Sequence, residues 1–197
     1  MKFAITGSIG SGKSTICKLF NNLGVNTFNS DEYIKELCLI PSIKAQIVDI
    51  IGDCVLSYDN IDLKKLSTSC FYNPLLRNKV YNTISDELFE IYYDFCERSN
   101  SPYTIFESSL IFNYNKQIEF DKIIGVVAND DIKIKRIIDR SNCTQDEAIY
   151  KINTQLSNFE IVKRCDFIIQ NNHDLKRLSG QVKYVHNIII GNIKTKY

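Results

Sequence analysis

Residues 7–15, "GSIGSGKST", place three of the chain's eight glycines within six positions and follow the third with Lys13, Ser14 and Thr15. That set of residue types suits an anion. Glycines reach backbone conformations closed to other residues and bring consecutive N–H groups against a ligand. A lysine adds a mobile positive charge, and a neighbouring hydroxyl can ligate a hard cation. Gly7 to Ser14 fits G-x-x-x-x-G-K-[ST], the P-loop pattern that cradles nucleoside triphosphates. The expected cradle is therefore Gly7, Ser8, Ile9, Gly10, Ser11, Gly12, Lys13, Ser14 and Thr15, with Lys13 on the outer phosphates of ATP and Ser14 on Mg²⁺.

Binding a triphosphate does not define a reaction. A GTPase needs a base-reading N-K-x-D, and "NNHD" at 171–174 lacks the lysine. A small kinase needs a carboxylate for its acceptor and cations that close over the phosphates. Asp31 follows the second expected strand, at the sheet edge where α/β proteins bind ligands, and could take or orient a hydroxyl proton. It could equally sit in the first turn of a helix simply because the dipole favours it. "IKIKRIIDR" (132–140) sets Arg136 and Arg140 four apart on one helix face, a spacing that suits polyphosphate or a solvated basic surface.

The elements that must position these groups alternate. "KFAIT" (2–6), "VNTFN" (25–29), "YTIFES" (103–108), "DKIIGVVAN" (121–129) and "DFIIQ" (166–170) read as buried strands. Ile16, Leu19, Phe20 and Leu23 mark a helix after the loop, with Gly24 as its stop, and Ser30 is the expected cap of the next. Short helical patterns fill 41–72, with "YDNID" as a turn. A long helix carries Leu76, Val80, Ile84, Leu88, Ile91 and Phe95. "TQDE" (144–147) and "SNFE" (157–160) fit capping boxes, and Leu175, Leu178, Val182, Val185 and Ile189 mark a last helix. The expectation is an α/β fold of three layers, α/β/α, around a five-stranded parallel sheet, as one domain over residues 1–197 with helical insertions.

Composition narrows the classes. At 197 residues, 44% hydrophobic and 24% charged, the chain can bury a sizeable core. A formal charge of +1 gives no global field for nucleic acid or an anionic membrane. Seven scattered cysteines without C-x-x-C argue against disulfides or zinc and for ordinary buried thiols in a reducing compartment. No apolar run approaches the roughly 18 residues of a membrane span, and "MKFAIT" is too short for a signal peptide. A soluble, cytoplasmic monomer or weak homo-oligomer is expected, with neither nucleic acid nor membrane as partner.

Over nearly its whole length the chain resembles the dephospho-coenzyme A kinase family. "TGSIGSGKST" is similar to the family's opening loop, "FNSDEYIKEL" to its aspartate motif and "FYNPLLRNKVYNTIS" to the segment entering the acceptor region. "FESSLIFN" resembles the central strand and loop, "VVANDDIKIKRIIDRSNCTQDEA" the lid, and "INTQLSNFEIVKRCDFIIQNN" the ending with Gln155, Asp166 and Asn171. The resemblance implies ATP and dephospho-coenzyme A as substrates and a P-loop kinase fold. It implies an acceptor region at about 30–100 and a lid at about 130–164. Lys13, Asp31, Arg136 and Arg140 are its implied catalytic residues, Asn171 lies beside the adenine, and Glu107 either assists magnesium or acceptor or serves only to cap a helix or hydrogen-bond. Departures from the family pattern stand at Ser8, Asn29, Ser85, Asp86, Asn113, Lys133 and His173. Another small P-loop kinase, such as a nucleoside monophosphate kinase, or a non-catalytic nucleotide binder, shares the loop but not the later motifs.

Overall fold

The computed structural model describes residues 1–113 and 116–194; the side chain of Asn113, one of the departures above, lies outside the described residues. The chain runs β1 (Lys2–Thr6), α1 (Lys13–Asn21), β2 (Asn26–Asn29), α2 (Ser30–Leu37), α3 (Pro41–Ile51), β3 (Leu56–Ser57), β4 (Asn60–Ile61), α4 (Leu63–Tyr72) and α5 (Pro74–Arg98). It continues through β5 (Thr104–Glu107), β6 (Lys122–Val127), α6 (Asp130–Ser141), α7 (Gln145–Asn153), α8 (Asn158–Arg164), β7 (Phe167–Gln170) and α9 (Leu175–Lys194).

Apolar runs with no polar alternation demand cover on both faces, and the sheet receives it. Five parallel strands lie in the order β2-β5-β1-β6-β7. The register pairs Phe3 with Ile105 and Ile5 with Ile124, which sends these side chains to one face. There they meet Ile16, Cys17 and Phe20 of α1 and Leu178, Val182, Val185 and Ile189 of α9 in one buried cluster. Each such side chain contributes about 1.5–3 kcal/mol on leaving water. On the opposite face α8 lies so close to β6 that a Cβ at Gly125 would fall 2.7 Å from Ile161 Cγ2. Phe106 on that side stacks on Phe28 and tilts against Phe120, with centroids 5.2 and 5.5 Å away. Helix, sheet and helix form three layers.

The chain divides into two compact units, residues 1–28 with 99–197, and residues 29–98. The first holds the phosphate loop, β1 and β5–β7. In the second, α2, α3 and α4 pack on α5, whose buried stripe is Val80, Tyr81, Ile84, Ser85, Leu88, Phe89 and Tyr92. Val80, Ile84 and Leu88 of the expected stripe are buried, while Leu76, Ile91 and Phe95 are partly so. Tyr81, Phe89 and Tyr92 complete the 3.6-residue period.

Both capping boxes are present: Thr144 with Glu147, and Ser157 with Glu160, each exchange backbone and side-chain hydrogen bonds at a helix start. The cap of α2 is Asn29 rather than Ser30, since the Asn29 side chain accepts the Asp31 N–H at 3.1 Å. The "YDNID" turn belongs to a small antiparallel hairpin, β3–β4, with Tyr58 and Asp59 at φ 49° and 62°. All seven cysteines are free, but only Cys17 and Cys38 are buried and Cys54 is exposed, which corrects the expectation of buried thiols throughout. Among the described residues, no helix is long and apolar enough to cross a membrane.

Candidate phosphate-binding site

The loop between β1 and α1 is tightly enclosed from behind. Gly12, at φ 95°, leaves no room for a side chain: a Cβ there would sit 2.1 Å from Asn171 Nδ2. Gly10, at φ 79°, would place one 2.8 Å from the Lys133 carbonyl oxygen. Non-glycine residues would meet both backbone strain and collision at these two positions.

Four side chains from three distant segments hold the loop. Asn171 Nδ2 donates to the Ser11 carbonyl at 2.8 Å. Arg136 donates through one terminal nitrogen to the carbonyls of Gly10 (3.2 Å) and Ser11 (3.5 Å). Through the other it donates to the Asn171 carbonyl (3.1 Å) and side-chain oxygen (3.3 Å). Gln155 Oε1 accepts the Ile9 N–H at 2.6 Å, and Lys133 Nζ donates to Ser8 Oγ at 3.2 Å. A trans peptide points its N–H opposite to its carbonyl. Drawing the Ser11 carbonyl toward Asn171 and Arg136 therefore turns the Gly12 N–H the other way. The first turn of α1 adds N–H groups that, as at any helix start, have no intrahelical acceptor.

The chemistry-bearing side chains follow directly. Lys13 opens α1 and its ammonium donates to the Gly7 carbonyl at 2.8 Å. Ser14 Oγ donates to Glu107 Oε1 at 2.8 Å, and Glu107 ends β5 with 8% exposure. One turn on, burial pushes the Cys17 thiol well above its ordinary range, with the Glu107 charge and a hydrogen bond to it adding to the rise. Magnesium takes few protein oxygens and keeps waters and phosphate oxygens in its shell, so this hydroxyl–carboxylate pair fits it. Thr15 is exposed beside them.

Arg136 and Arg140 differ more than their spacing implies. Arg136 is partly buried, its pKa lowered by that burial, and its guanidinium is occupied by loop and Asn171 oxygens. Arg140 is exposed in the last turn of α6 and has no hydrogen bond or ion pair among the described residues. Asn171 is 5% exposed, with both ends of its amide engaged by Ser11 and Arg136. His173 is exposed nearby in sequence.

Asp31 lies in the second unit, two residues beyond the carboxyl end of β2, exposed in the first turn of α2. Burial, and then the Asp31 charge, push the phenol of Tyr81 on α5 upward. Asn29 caps the turn with its amide oxygen as a carboxylate would, so this departure preserves the cap. Ser85 is buried in α5 and donates to the Asn82 carbonyl at 3.3 Å. Neither Gln155, in the family-like ending, nor Lys133, in the basic run of α6, is an expected site residue; their contacts with the loop span 146 and 125 positions, which local spacing does not encode.

A family model described as dephospho-CoA kinase matches residues 1–177. A dephospho-CoA kinase of Fusobacterium nucleatum is 30% identical over 184 residues, covering 93% of this chain and 95% of its own. A crystal structure of a Thermus thermophilus protein matches with a TM-score of 0.81 at 19% identity, covering 98% of this chain and 97% of its own. The dephospho-CoA kinase structure from Campylobacter jejuni matches with a TM-score of 0.56 at 21% identity, covering 95% and 96%. At such identities the two structures speak to the fold.

Proposed function

The chain belongs to the dephospho-CoA kinase family, and on that premise we propose that its phosphate loop, Asp31 and Arg140 move the γ-phosphoryl group of ATP to the ribose 3′-hydroxyl of dephospho-coenzyme A. The products are ADP and coenzyme A, the final step of coenzyme A synthesis. The observation that carries the phosphate half is the loop itself, with the Gly10 and Ser11 carbonyls drawn back by Arg136 and Asn171.

Phosphoryl transfer passes through a loose transition state whose charge spreads over the phosphate oxygens, so catalysis is mainly positioning and electrostatics. The loop amides and Lys13 hold the β- and γ-phosphates. Arg140 supplies a mobile cation from the α6 end of a lid at about 130–164, and closure of that lid excludes water. Arg136 acts through the loop that it anchors, and Asn171 fixes the backbone next to the adenine. Asp31 orients the 3′-hydroxyl for in-line attack and accepts its proton as the bond forms. Ser14 Oγ and the Glu107 carboxylate would hold Mg²⁺, which when bound neutralises phosphate charge. Residues 30–100 take the acceptor, and the enzyme works in the cytoplasm as a monomer or weak homo-oligomer.

An ADP-release panel tests this reading with dephospho-coenzyme A, AMP, CMP, dTMP and shikimate as acceptors. Dephospho-coenzyme A should give the highest kcat/KM by at least roughly 100-fold. A faster reaction with any other acceptor would assign the enzyme to a different acceptor class.

A further inference from the structure

The reaction above leaves one buried charge unused. Lys133 on α6 is 1% exposed and ranks among the largest fully buried side chains. A lysine so enclosed is costly unless its ammonium is paired. Its Nζ lies 2.7 Å from Asp130 Oδ1 and donates to Ser8 Oγ at 3.2 Å. Asp130 is 68% exposed, so water screens that carboxylate while the ammonium stays sealed. Ser8, 2% exposed, is the second residue of the phosphate loop. The Lys133 carbonyl also lies 2.8 Å from where a Cβ of residue 10 would be, so α6 presses directly on the back of the loop. Ser8 and Lys133 are two of the departures from the family pattern, and here they meet in one hydrogen bond.

We propose that Lys133 is a positioning residue for ATP: its buried ammonium fixes the curve of the phosphate loop through Ser8 and adds a positive charge behind it, which Asp130 partly offsets. This rests on the reading that the loop binds a triphosphate. A charge enclosed by protein directly behind the loop acts through a lower effective dielectric than one in water. Its contribution therefore appears in the affinity for the polyphosphate and not in that for the nucleoside. The exposed Asp130 carboxylate works in the opposite sense, with a smaller effect.

Calorimetric titration of the full chain with ATP and with adenosine separates these contributions. Lys133→Gln should weaken ATP binding roughly tenfold while adenosine affinity stays within about twofold and kcat changes less than the KM for ATP. Asp130→Asn, which removes the offsetting charge but keeps an amide oxygen to accept from the Lys133 ammonium, should tighten ATP binding about two- to threefold. Lys133→Gln with unchanged ATP affinity, or with equal losses for ATP and adenosine, overturns the proposal. Should Lys133→Gln fail to fold, Asp130→Asn decides alone, and unchanged or weaker ATP binding in that variant overturns it. A wild-type chain that binds no ATP would instead refute the triphosphate reading beneath it.

Discussion

The phosphate loop and the Asp31 turn each set a charged side chain at a helix start, Lys13 opening α1 and Asp31 in the first turn of α2. The anchors differ. Lys133, Arg136, Gln155 and Asn171 reach the loop from 125, 126, 146 and 160 positions away. Asp31 is set by the side chain of Asn29, two positions before it. A loop held by so many tertiary contacts has its ordering cost met during folding, so it greets ATP with its N–H groups already aimed. A local capping turn is fixed by its own sequence and tolerates changes at the carboxylate without disturbing the phosphate site. Substitutions in the loop's support should therefore disturb nucleotide binding and stability together, whereas a change at Asp31 should strike turnover alone.

The largest expected effect is at the loop. Lys13→Ala should lower kcat/KM by roughly 10³-fold or more and weaken ATP binding, measured by coupled ADP release and calorimetry. Retained activity would remove the phosphate loop from the chemistry. The two arginines sharpen the contrast. Arg140→Ala should cut kcat by roughly 100-fold and leave Tm within about 1 °C, because its side chain is exposed and, among the described residues, makes no hydrogen bond or ion pair. Arg136→Ala should raise the Kd for ATP about tenfold and lower Tm by several degrees, since it leaves the oxygens of Gly10, Ser11 and Asn171 short of a donor. Matching profiles for the two variants would break the distinction between an anchor and a mobile cation. The smallest effects belong to the caps. Thr144→Ala and Ser157→Ala should each cost about 1 kcal/mol, a Tm drop of about 2–4 °C by thermal denaturation, with kcat near wild type.

What the sequence made legible was local. The P-loop pattern, the five strand positions and both capping boxes depend on neighbouring residues, and all appear where the spacing placed them. The β3–β4 hairpin is not legible in the sequence beyond its turn, because strands of two residues carry no alternation to read. The stripe on α5 is legible in Val80, Ile84 and Leu88, whereas Tyr81 and Tyr92 take core positions that a residue type equally at home on the surface does not announce. The support of the loop was the least legible part. Lys133 and Arg136 sit in one basic run, yet one is sealed against Ser8 and the other grips backbone carbonyls, and only the packing of α6 on the loop separates them. Glu107 is hydrogen-bonded to Ser14 in the first turn of α1, a contact across 93 positions that no local spacing encodes.

Asp31 offers the most direct measurement. Steady-state kinetics of Asp31→Asn, with ATP and dephospho-coenzyme A varied in turn, should show kcat reduced by roughly 10²–10⁴-fold and ATP affinity within about twofold of wild type. Near-full turnover, or an equal loss of ATP binding, would contradict the assignment of Asp31 to the acceptor hydroxyl.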